Sequence, residues 1–108
     1  LHTEGRLDTL VPLIRRLGFD AVYIAQPDAN DIAAMQRDAN GCLAFMGGLP
    51  NGLLINGREQ VIELEVSNLV TLFRSGGSYI AGVASEITGE VPIKNFFSML
   101  RALSATKD

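Results

Sequence analysis

The chain has 108 residues, 47% of them hydrophobic and 19% charged, with a formal net charge of −3 and one cysteine. That is the composition of a single soluble globular domain, and it excludes a disordered or fibrous segment. The scattered charges form no basic stripe for a phosphate backbone, and no apolar run approaches the roughly 20 residues needed to cross a bilayer. Cys42 alone cannot form an internal disulfide, so a cytoplasmic protein that binds neither nucleic acid nor membrane is expected.

In chain order, Leu1-His2-Thr3-Glu4-Gly5 reads like the end of a strand entering a loop, which predicts further structure upstream. Leu7, Leu10, Val11, Ile14 and Leu17 recur at helical spacing and predict a helix over 7–17, stopped by Gly18 in a left-handed conformation. The run from Phe19 to Ala25 is apolar, β-branched and aromatic, and predicts a buried strand. Asp28 or Asn30 then caps a short helix carrying Ile32, Met35 and Ala39, closed by Gly41 and followed by a strand from Cys42 to Met46. The segment from Gly47 to Gly52 predicts a loop. A helix over 58–74 follows, with Asn56 as its N-cap, the stripe Ile62, Val66, Leu69, Val70 and Phe73, and an end at Gly76-Gly77. Tyr79 to Ala84 is the next strand. Pro92 opens a closing helix that places Ile93, Phe96, Phe97, Leu100 and Leu103 on one face.

Helix, glycine and strand thus recur three times, and the strands are continuously apolar, as in parallel sheets covered on both faces. The fold class is α/β, either a doubly wound sheet or a (β/α)8 barrel, of which about four βα units make half. No linker divides residues 1–108, so they read as one domain.

In both architectures ligands collect at the C-terminal ends of the strands. His2 and Glu4, two residues apart in an extended segment, point the same way and suit a zinc site or an acid/base pair; a histidine satisfied by a loop is the other reading. Asp31 and Asn30 serve as helix caps or as site residues. Gly47 and Gly48 allow a ligand, or another part of the backbone, to come close. Ser85 and Glu86 end the last strand, where the carboxylate binds a polar substrate or solvates the loop. Cys42, at the start of its strand, reads as a small buried hydrophobe.

Three stretches carry a family resemblance: Gly57-Arg58-Glu59-Gln60-Val61, Gly76-Gly77-Ser78-Tyr79-Ile80 and Val91-Pro92-Ile93-Lys94-Asn95. With the opening His2-Thr3-Glu4-Gly5, the chain resembles the last four βα units of the uroporphyrinogen decarboxylase and corrinoid methyltransferase superfamily. The resemblance implies a (β/α)8 barrel whose N-terminal half lies outside these residues, with that half or a second copy in a homodimer as the structural partner. It also implies either methyl transfer from a small methylated compound to a corrinoid protein or thiol, or decarboxylation of a tetrapyrrole without a cofactor. His2 and Glu4 would be the metal ligands in the first case, with Asp31 and Glu86 as further catalytic groups and Gly47, Gly48 and Ser85 as cofactor contacts. Methyltransferases of the superfamily carry cysteines where this chain has Glu4 and Ser85, and the decarboxylases carry a histidine near Ser85. These departures favour a divergent methyltransferase over a decarboxylase, and they also suit a non-catalytic barrel that binds a small metabolite.

Overall fold

A computed structural model describes residues 1–74 and 76–106. Four strands, β1 (His2–Thr3), β2 (Ala21–Ile24), β3 (Ala44–Leu49) and β4 (Tyr79–Val83), form one parallel sheet in the order β1-β2-β3-β4. Five α-helices connect or follow them: α1 (Val11–Arg16), α2 (Ile32–Ala39), α3 (Asn51–Asn56), α4 (Glu59–Arg74) and α5 (Ile93–Ala105). Short 3-10 turns, Asp8–Leu10 and Pro27–Ala29, precede α1 and α2. Each strand pairs with its neighbour in sequence, so the strand order never reverses within the sheet, as it must in a doubly wound fold. Among the described residues no helix is long and apolar enough to cross a membrane.

One core joins the sheet to the helices. Val22, Ile24, Phe45 and Leu49 meet Val11 and Ile14 of α1, Met35 of α2, and Ile62, Val66 and Phe73 of α4. The Phe73 ring lies 5.2 Å from that of Phe45 and stacks on Tyr79 at 4.4 Å. Each such side chain stabilises the fold by about 1.5–3 kcal/mol through burial. Among the described residues no helix covers the opposite face of the sheet, which carries Tyr23, Met46 and Ile80 in register. The apolar runs predicted burial on both sides. In β2 the burial alternates instead, because Val22 and Ile24 face the core while Ala21 and Tyr23 face away.

Several predicted boundaries shift for local reasons. The helix expected over 7–17 is a 3-10 turn followed by α1, since Pro12 has no N–H to extend an α-helix backwards, and Leu10 and Leu17 are exposed. Gly18 is left-handed at φ 86°, as expected. The Gly47-Gly48 pair, expected in a loop, continues β3, and 51–56 forms α3, so Asn56 ends a helix instead of capping α4. Cys42 lies exposed in a turn before β3, with Sγ 3.3 Å from Nη2 of Arg15, and is not the buried hydrophobe expected. In α5 the buried residues are Asn95, Ser98 and Met99, while Ile93, Phe97 and Leu100 are exposed. That helix turns its polar residues inward because they have partners. Asn95 Nδ2 donates to the carbonyls of Leu54 (2.8 Å) and Gly57 (3.1 Å), and Ser98 Oγ donates to Glu59 Oε2 (3.0 Å) or the Lys94 carbonyl (2.9 Å).

Candidate functional site

The C-terminal ends of the parallel strands open on one rim, where polar side chains tie the loops together. Asn30 Oδ1 accepts from the backbone N–H groups of Leu7 (2.6 Å) and Asp8 (3.0 Å), while its Nδ2 donates to the carbonyls of Gly5 (3.0 Å) and Gln26 (2.8 Å). Gln26 Oε1 accepts from the Gly5 N–H at 2.5 Å. The buried Asp8 carboxylate accepts from the Asp31 N–H at 2.9 Å and from Arg6 Nε at 2.8 Å. These contacts, the Asp31 N–H first, hold its carboxyl below the usual carboxylate range, and the same ion pair raises Arg6. On the far side, Asn51 Oδ1 accepts from the Ser85 N–H (3.3 Å) and its Nδ2 donates to the Glu86 carbonyl (2.9 Å). The loops after β1 and β2 are therefore one bonded unit, and α3 anchors the loop after β4.

Tyr23 links the two sides across the uncovered face. The His2 imidazole stacks on its ring at 4.6 Å and 18°. The Tyr23 hydroxyl donates to the Val83 carbonyl at 2.7 Å, with the Ser85 carbonyl 3.3 Å away. The side chain thus runs from beside β1, across β3, to the end of β4. It passes over Gly47 at φ 81°, where an added Cβ would lie 3.3 Å from the phenol ring and 2.8 Å from the Val83 oxygen. Along this face lies a groove of about 310 Å³, lined by Tyr23, Met46, Gly47, Ile80, Val83 and Ile87 among others. Among the described residues no charged side chain lines it. Beneath the sheet, Tyr79 donates to the Gly47 carbonyl at 2.5 Å, and burial pushes its phenol up to about 12.

The predicted residues fall at different places on this frame. His2 and Glu4 are exposed at the β1 end, and Ser85 and Glu86 are exposed at the β4 end. Asp31 Oδ1 accepts from the Ala34 N–H at 3.0 Å and so caps α2. Asn30, read as a cap, is the bridge between the first two loops. Gly47 is approached closely by Tyr23. Gly48, at φ 96°, has only ordinary contacts at 3.7 Å and beyond. Among the described residues no group of three His, Cys, Asp or Glu side chains could hold a metal ion. Sequence reasoning missed Tyr23, Asn51 and Asp8. Only Tyr23 carried a usable signal, since its position alternates with the core residues Val22 and Ile24.

The uroporphyrinogen decarboxylase family profile, URO-D, matches residues 1–106, nearly the whole of this frame from β1 to the end of α5. The chain belongs to the uroporphyrinogen decarboxylase family. No individual curated protein matches it. Within the matched residues, the stretches 91–95 and 76–80 have structural roles. Pro92 supplies the turn that starts α5, and Asn95, three residues on, fastens α5 to the ends of α3, which in turn holds Ser85 and Glu86 through Asn51. Gly76-Gly77 leads directly into β4.

Proposed function

We propose that the chain is half of a (β/α)8 barrel enzyme that transfers a methyl group from a small methylated substrate to a corrinoid or thiol acceptor. The observation that carries this reading is the groove over Tyr23, Met46 and Ile80, which is apolar and has no cationic side chain along its walls. A tetrapyrrole with many carboxylates needs arginines or lysines around it, because burying unpaired anions is strongly unfavourable. A small neutral or cationic methyl donor needs none, and the exposed carboxylates of Glu4 and Glu86 at the rim favour positive charge there.

On this reading the groove holds the body of the substrate and excludes water, while Tyr23 fixes the His2 ring plane. The methyl carbon bonds to the nucleophilic acceptor as its bond to the substrate heteroatom breaks. The electron pair stays on that heteroatom, which takes a proton from the His2 imidazolium when the donor is neutral and needs none when it is cationic. A corrinoid, when bound, supplies the nucleophile. Zinc fits less well. His2 and Glu4 are fewer than the three protein ligands of a catalytic zinc site.

The test is to supply the protein with cob(I)alamin and a panel of methylated thiols, amines and phenyl ethers, and to follow methylcobalamin by its absorbance. Formation from at least one donor, lost in His2→Gln, is expected. The decarboxylase reading is favoured by the family's own description, with Glu4 or Glu86 stabilising a protonated pyrrole. Release of carbon dioxide from uroporphyrinogen, with no methyl transfer, would establish it and overturn ours. Neither activity would leave a non-catalytic barrel that binds a small metabolite.

A further inference from the structure

Tyr23 is placed more firmly than the packing of the sheet requires. Its neighbours Val22 and Ile24 supply the core contacts of β2, while the half-buried Tyr23 ring crosses the opposite face. The ring is held at both ends. The His2 imidazole stacks on it at 4.6 Å, and its hydroxyl donates to the Val83 carbonyl at 2.7 Å. Gly47 leaves room for the crossing, since a Cβ there would stand 3.3 Å from two of the ring carbons. A phenol that swung aside would lose its hydroxyl partner and its stacking partner together, so the ring is fixed in place.

The groove of about 310 Å³ lies on one side of this ring. Its walls are Tyr23, Met46 and Gly47, Ile80 and, toward α5, Ile87 and Met99. His2 and Glu4 are not among the residues that line it. The phenol therefore stands between the groove, which lies over β3 and β4, and the His2 end of the rim, at β1. On the reading of this groove as the substrate site, we infer that Tyr23 is its specificity-determining residue, a fixed partition that limits the substrate body to a single ring or a short branched chain. Met46 is a flexible thioether and repacks around bodies of different shape. The tyrosine does not, so a fused or multi-ring body meets its edge. With His2 beyond the partition, the methyl-bearing heteroatom reaches the imidazole only from the rim, past the edge of the ring, which a compact donor bound end-on allows and a wide one does not.

Two neutral methyl thioethers that differ by one fused ring, methyl phenyl sulfide and methyl 2-naphthyl sulfide, test the partition by ligand-observed NMR titration. Binding is read without turnover, so the result stands whether or not methyl transfer is found. The larger probe is the more apolar and binds more tightly wherever there is room. The wild-type protein is expected to prefer the phenyl probe at least about tenfold, and Tyr23→Ala to abolish or reverse that preference. Met46→Ala enlarges the same groove without opening the partition and should keep the preference. Tyr23→Phe keeps the ring but loses the bond to Val83, and should cut the preference at least about threefold. Circular dichroism checks that each variant is folded; should Tyr23→Ala not fold, the near-isosteric Tyr23→Phe decides in its place. Equal binding of both probes to the wild type, an unchanged preference in the Tyr23 variants, or the same loss in Met46→Ala would overturn the partition and leave the groove as the substrate site. Binding of neither probe to any variant would overturn both.

Discussion

Replacing Gly47 by alanine tests the account of how Tyr23 crosses the sheet. At φ 81° a Cβ costs about 1–2 kcal/mol in backbone strain alone. The new methyl would also stand 2.8 Å from the Val83 oxygen, which accepts from the Tyr23 hydroxyl and must shift, and 3.3 Å from two carbons of the Tyr23 ring, which must give by a few tenths of an ångström. Losing the Tyr23 hydrogen bond to Val83 removes about 0.5–1.5 kcal/mol more. Gly47→Ala should therefore destabilise the fold by about 1.5–3.5 kcal/mol. Gly48→Ala is the control. Its φ is also positive, 96°, but a Cβ there meets nothing closer than 3.7 Å, so only the strain of about 1–2 kcal/mol applies. Urea unfolding followed by circular dichroism, at one protein concentration, measures the difference, and in a Tyr23→Ala background it should shrink to the part owed to the Val83 oxygen. If Gly47→Ala costs no more than Gly48→Ala in the wild-type background, the Tyr23 crossing does not constrain β3 and the reasoning fails.

Asn30→Ala removes four hydrogen bonds at once and leaves the Leu7 and Asp8 N–H groups without their acceptor; a loss of about 2–4 kcal/mol is expected in thermal unfolding, with faster proteolysis near Gly5 as the local sign. Asp8 sets a pH dependence whose direction follows from its lowered pKa. Its contribution is fully present above the unfolded carboxylate value of about 3.9 and is lost as pH falls from there through its lower folded value. Asp8→Asn should flatten that acid limb of a stability-against-pH curve, and an unchanged limb would mean that the Asp31 N–H and Arg6 contacts do not form in solution.

The alternation of helices and strands was legible from the sequence because it rests on local rules. Period and stop signals placed α2, α4 and β4 to within a few residues, and Gly18 ended its helix in the expected left-handed geometry. Errors arose where a residue's partner is distant in sequence. Gly47-Gly48 looks like a turn in isolation yet pairs in register with β2 and β4, and the apolar face of α5 looked buried because the sequence does not reveal the distant partners of Asn95 and Ser98 at Leu54, Gly57 and Glu59.

The candidate site divides in the same way. Parallel strands gather their C-terminal ends wherever the sheet goes, so sequence alone pointed to His2, Glu4, Ser85 and Glu86 as rim residues. The stretches 57–61, 76–80 and 91–95 also carried the family resemblance, and the family match over residues 1–106 bears it out. Only the tertiary structure decided that Tyr23 joins the two sides of the rim and that Asn30 and Asn51 hold its loops. Those are contacts between residues more than 20 positions apart, and hydrophobic period and local propensity carry no information about which distant partner a side chain meets.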